Sequence, residues 1–241
     1  MEIDGLRGVS SLSWAETLAA VSFRPRCCTV QADAHAALAL TPQVVASECL
    51  SETSRRRYFE ALRPYLAGRI LDFGGGDGSL MSWAFEASIL TEDGPRQVTL
   101  LDSNQQLVDR ARQRLAAASV LCHGQGPWPF EAEAFDVVLL AFVLHHVPVS
   151  ERQGLLREAR RCGRRTVVLE DLPDNRLAWQ VTEEHFRPFG QDPEDYLQGV
   201  WPLEQWRSVF EEAGYRIEAE QRIEGSLRYP VPHMLFNLEP R

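Results

Sequence analysis

The sequence predicts an α/β protein built on a doubly wound, mostly parallel sheet. Three observations support this fold class. A glycine-rich turn at residues 74–78 joins an apolar strand to a helix. A second apolar strand ends in an acid, Asp102. Strand-like and helical segments then alternate along the chain, as they do in repeated βαβ units.

The turn after the first strand predicts a cofactor site. Residues 72–78 read Asp-Phe-Gly-Gly-Gly-Asp-Gly, and a helical segment begins at Ser79. Glycine adopts backbone angles closed to other residues and lets a ligand lie directly on the main chain. The helix that follows presents unpaired N–H groups and the positive end of its dipole to that ligand. Such a turn lies at the carboxyl end of a parallel sheet.

The following elements continue the alternation. Residues 97–101 are predicted to form the second strand, and Asp102 lies where a doubly wound sheet places a ribose-binding carboxylate. Residues 104–118 are predicted to be a helix, because apolar side chains recur there at helical spacing. The remaining predicted elements are strands at 118–123, 134–142 and 166–170, and a helix at 151–162.

These motifs resemble those of class I S-adenosylmethionine-dependent methyltransferases. Residues 72–78 resemble their motif I more closely than the dinucleotide fingerprint Gly-x-Gly-x-x-Gly. The Trp-Pro-Phe at 128–130, the Phe-Asp-Val-Val at 135–138 and the Leu-His-His-Val at 144–147 are similar to a run in small-molecule methyltransferases. The ubiquinone/menaquinone methyltransferases are the nearest likeness by these motifs.

The resemblance covers roughly residues 55–241 and implies a Rossmann-like sheet of seven strands. Residues 206–214 look like the helix and glycine stop that precede the last two strands in such proteins. Those strands would then be residues 215–223 and 233–238, with the terminal one inserted antiparallel.

The resemblance also implies S-adenosylmethionine as the cofactor. Asp72 would order the loop or bind the amino group of the methionine tail, and Asp102 would bind both ribose hydroxyls. Gln125 stands where relatives commonly carry an aspartate facing the adenine amine. The expected cofactor contacts are Tyr58, Asp72, Gly74, Gly75, Gly76, Gly78, Asp102, Ser103 and Gln125.

Methyl transfer from a sulfonium requires alignment of the acceptor and, for a protonated acceptor, a base. His145 and His146 are predicted to end the fourth strand, and an imidazole there has a pKa near working pH. Adjacent strand residues point to opposite faces, so we expect at most one histidine to face the acceptor. The alternative is that one histidine holds the loop or caps a helix. Glu170 and Asp171, at the end of the fifth strand, are the rival base or cation-binding pair.

The chain divides into an amino-terminal part, residues 1–66, and a cofactor-binding domain, residues 67–241. We expect the first part to be a helical lid, with Tyr58 closing over the sulfonium. For residues 1–40 the alternative is an extra structural layer or a dimer contact. Residues 171–202 carry several prolines and aromatic residues and form the expected acceptor-binding insertion. Alternatively, these aromatic side chains only pack the insertion onto the domain.

Composition limits the classes of substrate, the location and the metal content that we expect. The formal net charge is −9, which disfavours a nucleic-acid substrate. No long apolar run and no secretion signal is visible, so we expect a cytoplasmic protein without membrane contact. The five cysteines form no Cys-x-x-Cys pair, so reduced thiols are expected and no metal site is predicted. We expect a monomer or a homodimer.

The predicted function is transfer of the methyl group to an oxygen, nitrogen or sulfur nucleophile of a small molecule by in-line displacement. One alternative is a cofactor-binding protein that uses S-adenosylmethionine non-canonically, for example in a cyclisation, or that lacks transfer activity. A nicotinamide-dependent dehydrogenase and a protein-methylating enzyme are further alternatives.

Overall fold

The computed structural model describes residues 51–86, 97–116, 118–124, 126–186, 199–226 and 229–241. Short 3₁₀ turns lie at Arg63–Tyr65 and Leu144–His146. The strands are β1 Arg69–Phe73, β2 Gln97–Asp102, β3 Ser119–Cys122, β4 Val137–Ala141, β5 Thr166–Asp171, β6 Tyr215–Ile223 and β7 His233–Pro240. The helices are α1 Glu52–Leu62, α2 Ser79–Glu86, α3 Gln105–Arg114, α4 Val149–Cys162, α5 Arg176–Phe186 and α6 Leu203–Glu212.

The strands form one seven-stranded sheet in the order β3-β2-β1-β4-β5-β7-β6. Strands β1 to β5 pair in parallel, and β7 lies antiparallel between β5 and β6. The order reverses between β1 and β4, and ligands of open α/β sheets bind beyond the carboxyl ends of the strands at such a point. The predicted fold class, including the antiparallel last strand, is confirmed.

Some predicted elements are longer than the observed ones. The Asn104 side chain caps α3 by accepting hydrogen bonds from the N–H groups of Gln106 and Leu107, a common role of asparagine at a helix start. The helix ends before Leu115, because that residue leaves the helical conformation. Strand β4 ends at Ala141, since Phe142 adopts a positive φ of 59° that ends the extended conformation.

The core lies on both faces of the sheet. On one face, which we call the α4 face, Val138 and Leu140 pack in a cluster with side chains of α4 and α6. On the other, the α1 face, Val137 and Leu139 pack in a cluster with side chains of α1, α2 and α3. Successive strand residues alternate between these faces, so neighbouring polar residues at a strand end are directed to opposite sides of the sheet.

The predicted lid and insertion lie partly outside the described residues. Residues 1–50 are not described, so the lid stays a prediction, whereas α1 packs on the sheet through Phe59 and Leu62. Within the insertion, α5 is present and residues 187–198 are not described. Trp201 is buried in the α4-face cluster, so for this aromatic residue packing onto the domain is the observed arrangement.

Candidate active site

The glycine turn follows β1, as predicted, and three of its glycines have positive φ. Gly74, Gly76 and Gly78 have φ of 70°, 58° and 73°. A β-carbon at Gly74 would approach Val143 to 2.7 Å, and one at Gly78 would approach Leu115 to 2.7 Å. A β-carbon at Gly76 would have no neighbour within 4 Å. Packing of the protein itself therefore requires two of these glycines, whereas Gly76 faces open space at the carboxyl edge of the sheet.

Asp102 holds the glycine turn in place from the end of β2. Its Oδ2 accepts a hydrogen bond from the Gly76 N–H at 2.9 Å, and its Oδ1 accepts one from the Asn104 N–H at 2.8 Å. The carboxyl is buried, and burial raises its pKa. The neighbouring Ser103 hydroxyl is buried with no hydrogen-bond partner among the described residues. The Asp102 carboxyl thus lies beside the open space at Gly76, and the Ser103 hydroxyl is a buried polar group at the next position in the chain.

Asp72 is a buried carboxyl at the end of β1, only 2% exposed. Its Oδ2 has no hydrogen-bond partner within the described chain. Burial, followed by the charge of Asp102, raises its pKa to about 7. A buried carboxylate without a donor costs free energy, which a cationic ligand group would recover.

The two histidines of the Leu-His-His-Val segment do not lie on a strand. The prediction that they end β4 is wrong: β4 ends at Ala141, and both lie on the 3₁₀ turn Leu144–His146. The argument from strand alternation therefore does not apply to them. His145 is buried and His146 is half-buried, and their rings lie in tilted contact with centroids 4.3 Å apart.

Glu170 connects this turn to β5. Its Oε1 accepts hydrogen bonds from the N–H groups of Val143 at 3.1 Å and Leu144 at 2.7 Å. Its Oε2 lies 2.5 Å from Nδ1 of His145. Burial raises the pKa of Glu170 to about 8 and, with a smaller effect of the Arg152 charge, lowers that of His145 to about 3. This bonding supports a role for the Glu170 carboxyl in fixing the turn and orienting the imidazole.

Asp171 and Tyr58 both lie beside His233, a residue that the sequence analysis did not identify as part of the site. His233 begins β7, and the antiparallel register places it opposite Asp171. Its Nδ1 lies 3.7 Å from Asp171 Oδ1, and its Nε2 lies 2.5 Å from the Tyr58 hydroxyl. Tyr58 is therefore buried against the sheet end, where the expectation was an aromatic residue on a lid.

A buried arginine is the second residue that sequence reasoning missed. Arg152, in the first part of α4, is 1% exposed, and its guanidinium lies 4.2 Å from the ring centroid of Trp201. Its Nε donates to the Val147 carbonyl at 2.9 Å. Arg152 precedes the buried Leu156 and Ala159 by four and seven residues, so helical spacing places it on the buried face of α4. The sequence therefore carried a signal for its burial that sequence reasoning did not use.

Comparison with known proteins identifies the enzyme class. Residues 70–165, less than half of the chain, match the profile of a family described as a methyltransferase domain. The comparison with curated protein sequences found no match.

This chain carries an S-adenosylmethionine-dependent methyltransferase domain. That finding confirms the predicted enzyme class and cofactor.

Several solved structures share the fold of this methyltransferase. Mitomycin 7-O-methyltransferase MmcR has 21% identity and a TM-score of 0.57, over 81% of this chain and 55% of that enzyme. Magnesium protoporphyrin IX methyltransferase from Synechocystis PCC 6803, with bound S-adenosylhomocysteine, has 16% identity and a TM-score of 0.57, over 83% and 86%. A protein described as a pericyclic reaction enzyme has 17% identity and a TM-score of 0.55, over 76% and 46%.

The site of this methyltransferase fits its cofactor. The unpartnered Asp72 oxygen suits the cationic amino group, and the open space at Gly76 allows a nucleoside to approach the main chain. Gln125, the expected adenine contact, lies outside the described residues.

In the part of the chain that the structure covers, no helix is long and apolar enough to cross a membrane. The described residues also contain no group of three or more side chains that could hold a metal ion.

Proposed function

We propose that this methyltransferase transfers the methyl group to an oxygen, nitrogen or sulfur nucleophile of a small molecule bound beyond the carboxyl ends of β4 and β5. The observation that carries the proposal is the end of β5. Two consecutive buried carboxyl groups lie there, Glu170 and Asp171, and each has a buried histidine beside it. Such acid–histidine pairs at a ligand-binding edge can orient an acceptor and remove its proton.

The glycine turn would place the cofactor next to those pairs. In this proposal Asp72 binds the amino group, Asp102 binds the ribose hydroxyls, and Gly76 allows the close approach. When bound, S-adenosylmethionine supplies an activated methyl group on a sulfonium. The contribution of the chain is to hold that methyl group in line with the acceptor, and alignment alone lowers such a barrier by several kcal/mol.

A small acceptor is favoured over a protein. The side chains at the end of β5 are buried, so an acceptor atom must enter an enclosed site. MmcR and the magnesium protoporphyrin IX enzyme are both named for small-molecule acceptors, which supports the same class here. The likeness to ubiquinone/menaquinone methyltransferases, a cytoplasmic location, and a monomeric or homodimeric state are further parts of this proposal.

The experiment is a transfer assay with a broad acceptor panel. Phenols, alcohols, thiols, amines and carboxylic acids are each incubated with S-adenosylmethionine, and S-adenosylhomocysteine and the methylated product are both quantified. We expect stoichiometric formation of the two products with at least one acceptor, and loss of both in Asp72→Asn. No product with any member, in a protein that binds the cofactor by calorimetry, would contradict methyl transfer to small molecules.

A second candidate is a reaction that uses the bound cofactor without consuming it. The structural likeness to the pericyclic reaction enzyme favours keeping this alternative. The same panel distinguishes the two functions, because a cyclisation changes the substrate while the S-adenosylmethionine concentration stays constant.

A further inference from the structure

The end of β5 presents two acid–histidine pairs on opposite faces of the sheet, and their hydrogen bonding differs. On the α4 face, Glu170 has both oxygens engaged by the turn that carries His145. On the α1 face, Asp171 Oδ1 and His233 Nδ1 lie 3.7 Å apart, and neither has a hydrogen-bond partner among the described residues. In the second pair, Asp171 Oδ1 and His233 Nδ1 are therefore buried polar atoms that can each still form a hydrogen bond.

A tyrosine completes the pair on the α1 face. The Tyr58 hydroxyl lies 2.5 Å from His233 Nε2, and the two rings stack with centroids 4.7 Å apart. Tyr58, Asp171 and His233 are 4%, 4% and 2% exposed. When the hydroxyl donates to Nε2, Nδ1 carries the proton that faces Asp171. A hydroxyl, an imidazole and a carboxylate in this order are the groups of a proton-abstracting triad.

This group lies beside the switch point of the sheet. Phe142, the first residue after β4, contacts the Tyr58 ring edge-on at 5.1 Å and the His233 ring edge-on at 5.4 Å. Its φ of 59° is rare for a bulky residue. Backbone strain of this kind persists where the surroundings enforce it, and it clusters at functional sites. Phe142 thus contacts two members of the triad and lies at the edge of the sheet where we propose that the methyl group is transferred.

We propose that Tyr58, His233 and Asp171 form a relay that removes the proton from the methyl acceptor, with the Tyr58 oxygen as the group that touches the acceptor. The inference rests on the proposed function and narrows it. It assigns an acceptor that arrives protonated, namely the hydroxyl of a phenol or an alcohol. His233 and Asp171 act through Tyr58 and are positioning residues.

The step balances in protons and electrons. The acceptor O–H gives its proton to the Tyr58 oxygen while the Tyr58 proton passes to His233 Nε2. The acceptor oxygen forms the new bond to the methyl carbon with its own electron pair, and the electrons of the broken carbon–sulfur bond stay on sulfur. His233 then carries one positive charge opposite Asp171, and it loses its proton to solvent after the product leaves.

Burial and the nearby charges keep the His233 imidazole neutral before the proton transfer. Burial, followed by the charge of Arg57 of α1 and an effect of His145 of the 3₁₀ turn, lowers the pKa of His233 to about 3. The imidazole is therefore neutral at physiological pH, and it holds a transferred proton only while Asp171 is ionised opposite it. Burial, and then the charge of Glu170, raises the pKa of Asp171 to about 8, so the relay gains full strength as the pH rises toward that value.

The test compares two phenols of different acidity. Phenol is protonated at neutral pH, whereas 4-nitrophenol is largely ionised and needs no base. For phenol we expect Tyr58→Phe and His233→Gln to lower kcat about 100-fold with little change in KM. With 4-nitrophenol we expect only a small loss of kcat. With phenol we expect the loss of kcat to decrease as the pH approaches the pKa of phenol. Tyr65→Phe, a half-buried tyrosine of the neighbouring 3₁₀ turn, is the matched control and should behave as wild type.

Each other outcome overturns the inference in a distinguishable way. Equal losses with both phenols would show a structural role for Tyr58 and leave the proposed function intact. Turnover confined to amines or carboxylates would also leave methyl transfer intact but exclude the relay. No turnover of any acceptor would overturn both.

A readout without turnover comes from nitrogen-15 NMR of the imidazole in the cofactor-free protein. We expect a neutral His233 whose Nε2 shift changes in Tyr58→Phe and stays unchanged in Tyr65→Phe. An unchanged Nε2 shift in Tyr58→Phe would exclude the hydrogen bond on which the relay depends.

Discussion

Gly76→Ala separates the role of the glycine turn in folding from its role in binding. Gly76 has a φ of 58° and no neighbour within 4 Å of an added β-carbon, so the substitution meets no side chain of the protein. The left-handed conformation costs an L-residue roughly 1–2 kcal/mol. For a chain of this length we expect the melting temperature to fall by roughly 2–8 °C.

The loss of cofactor affinity should be much larger than this backbone cost. The added β-carbon occupies the open space at Gly76 through which, in the proposed arrangement, the nucleoside reaches the main chain. The Gly76 N–H also donates to Asp102 at 2.9 Å, so displacement of the turn moves the carboxylate that we propose binds the ribose. Loss of a hydrogen bond to a charged group costs about 1.5–3 kcal/mol, which corresponds to an affinity lowered roughly 10- to 150-fold.

Gly214→Ala is the matched control. Gly214 also has a positive φ, 84°, and its added β-carbon would meet only the flexible guanidinium of Arg160. It follows α6 at the opposite edge of the sheet, so it should show a similar loss of stability without a loss of affinity. Calorimetric titration with S-adenosylhomocysteine and thermal melting measure both quantities. Wild-type affinity in Gly76→Ala, or equal weakening in Gly214→Ala, would refute the reasoning.

The remaining predictions concern three carboxyl groups. Asp102→Ala should weaken S-adenosylhomocysteine binding at least about tenfold, because two charge-assisted hydrogen bonds are lost; an unchanged calorimetric affinity would exclude the ribose contact. The pKa of Asp72 is raised to about 7 and the carboxylate must be ionised to bind an amino group, so affinity should rise with pH up to 7 and then level off; Asp72→Asn should abolish this dependence. The pKa of Glu170 is raised from 4.5 to about 8, so the folded state holds its proton more tightly than the unfolded state, and stability should fall as the pH rises toward 8 and level off above it. Thermal melts between pH 6.5 and 8.5 should show that fall, and Glu170→Gln should reduce it; an identical pH dependence in this variant would contradict the assignment.

Sequence reasoning predicted the fold well because its signals are local. The glycine turn, the acid at the end of β2 and the apolar runs each carry their meaning within a few residues. The ends of the elements were less accurate. Strand β4 was predicted to reach residue 142, because apolar character continues there after the extended conformation has ended at Ala141.

The candidate site was only partly predictable, because some of its contacts depend on register and on tertiary burial. His233 meets Asp171 only because β7 pairs antiparallel with β5 in one particular register. His145 and His146 were expected on a strand, but the hydrogen bonds from Glu170 to backbone N–H groups hold a 3₁₀ turn instead. No local pattern in the sequence encodes either arrangement.

A crystal structure of the complex with S-adenosylhomocysteine tests the central claim most directly. We expect the ribose hydroxyls within hydrogen-bond distance of Asp102, the amino group at Asp72, and the sulfur directed toward the end of β5. An empty site, or a nucleoside bound away from the turn at Gly76, would contradict the proposed arrangement of cofactor and acceptor.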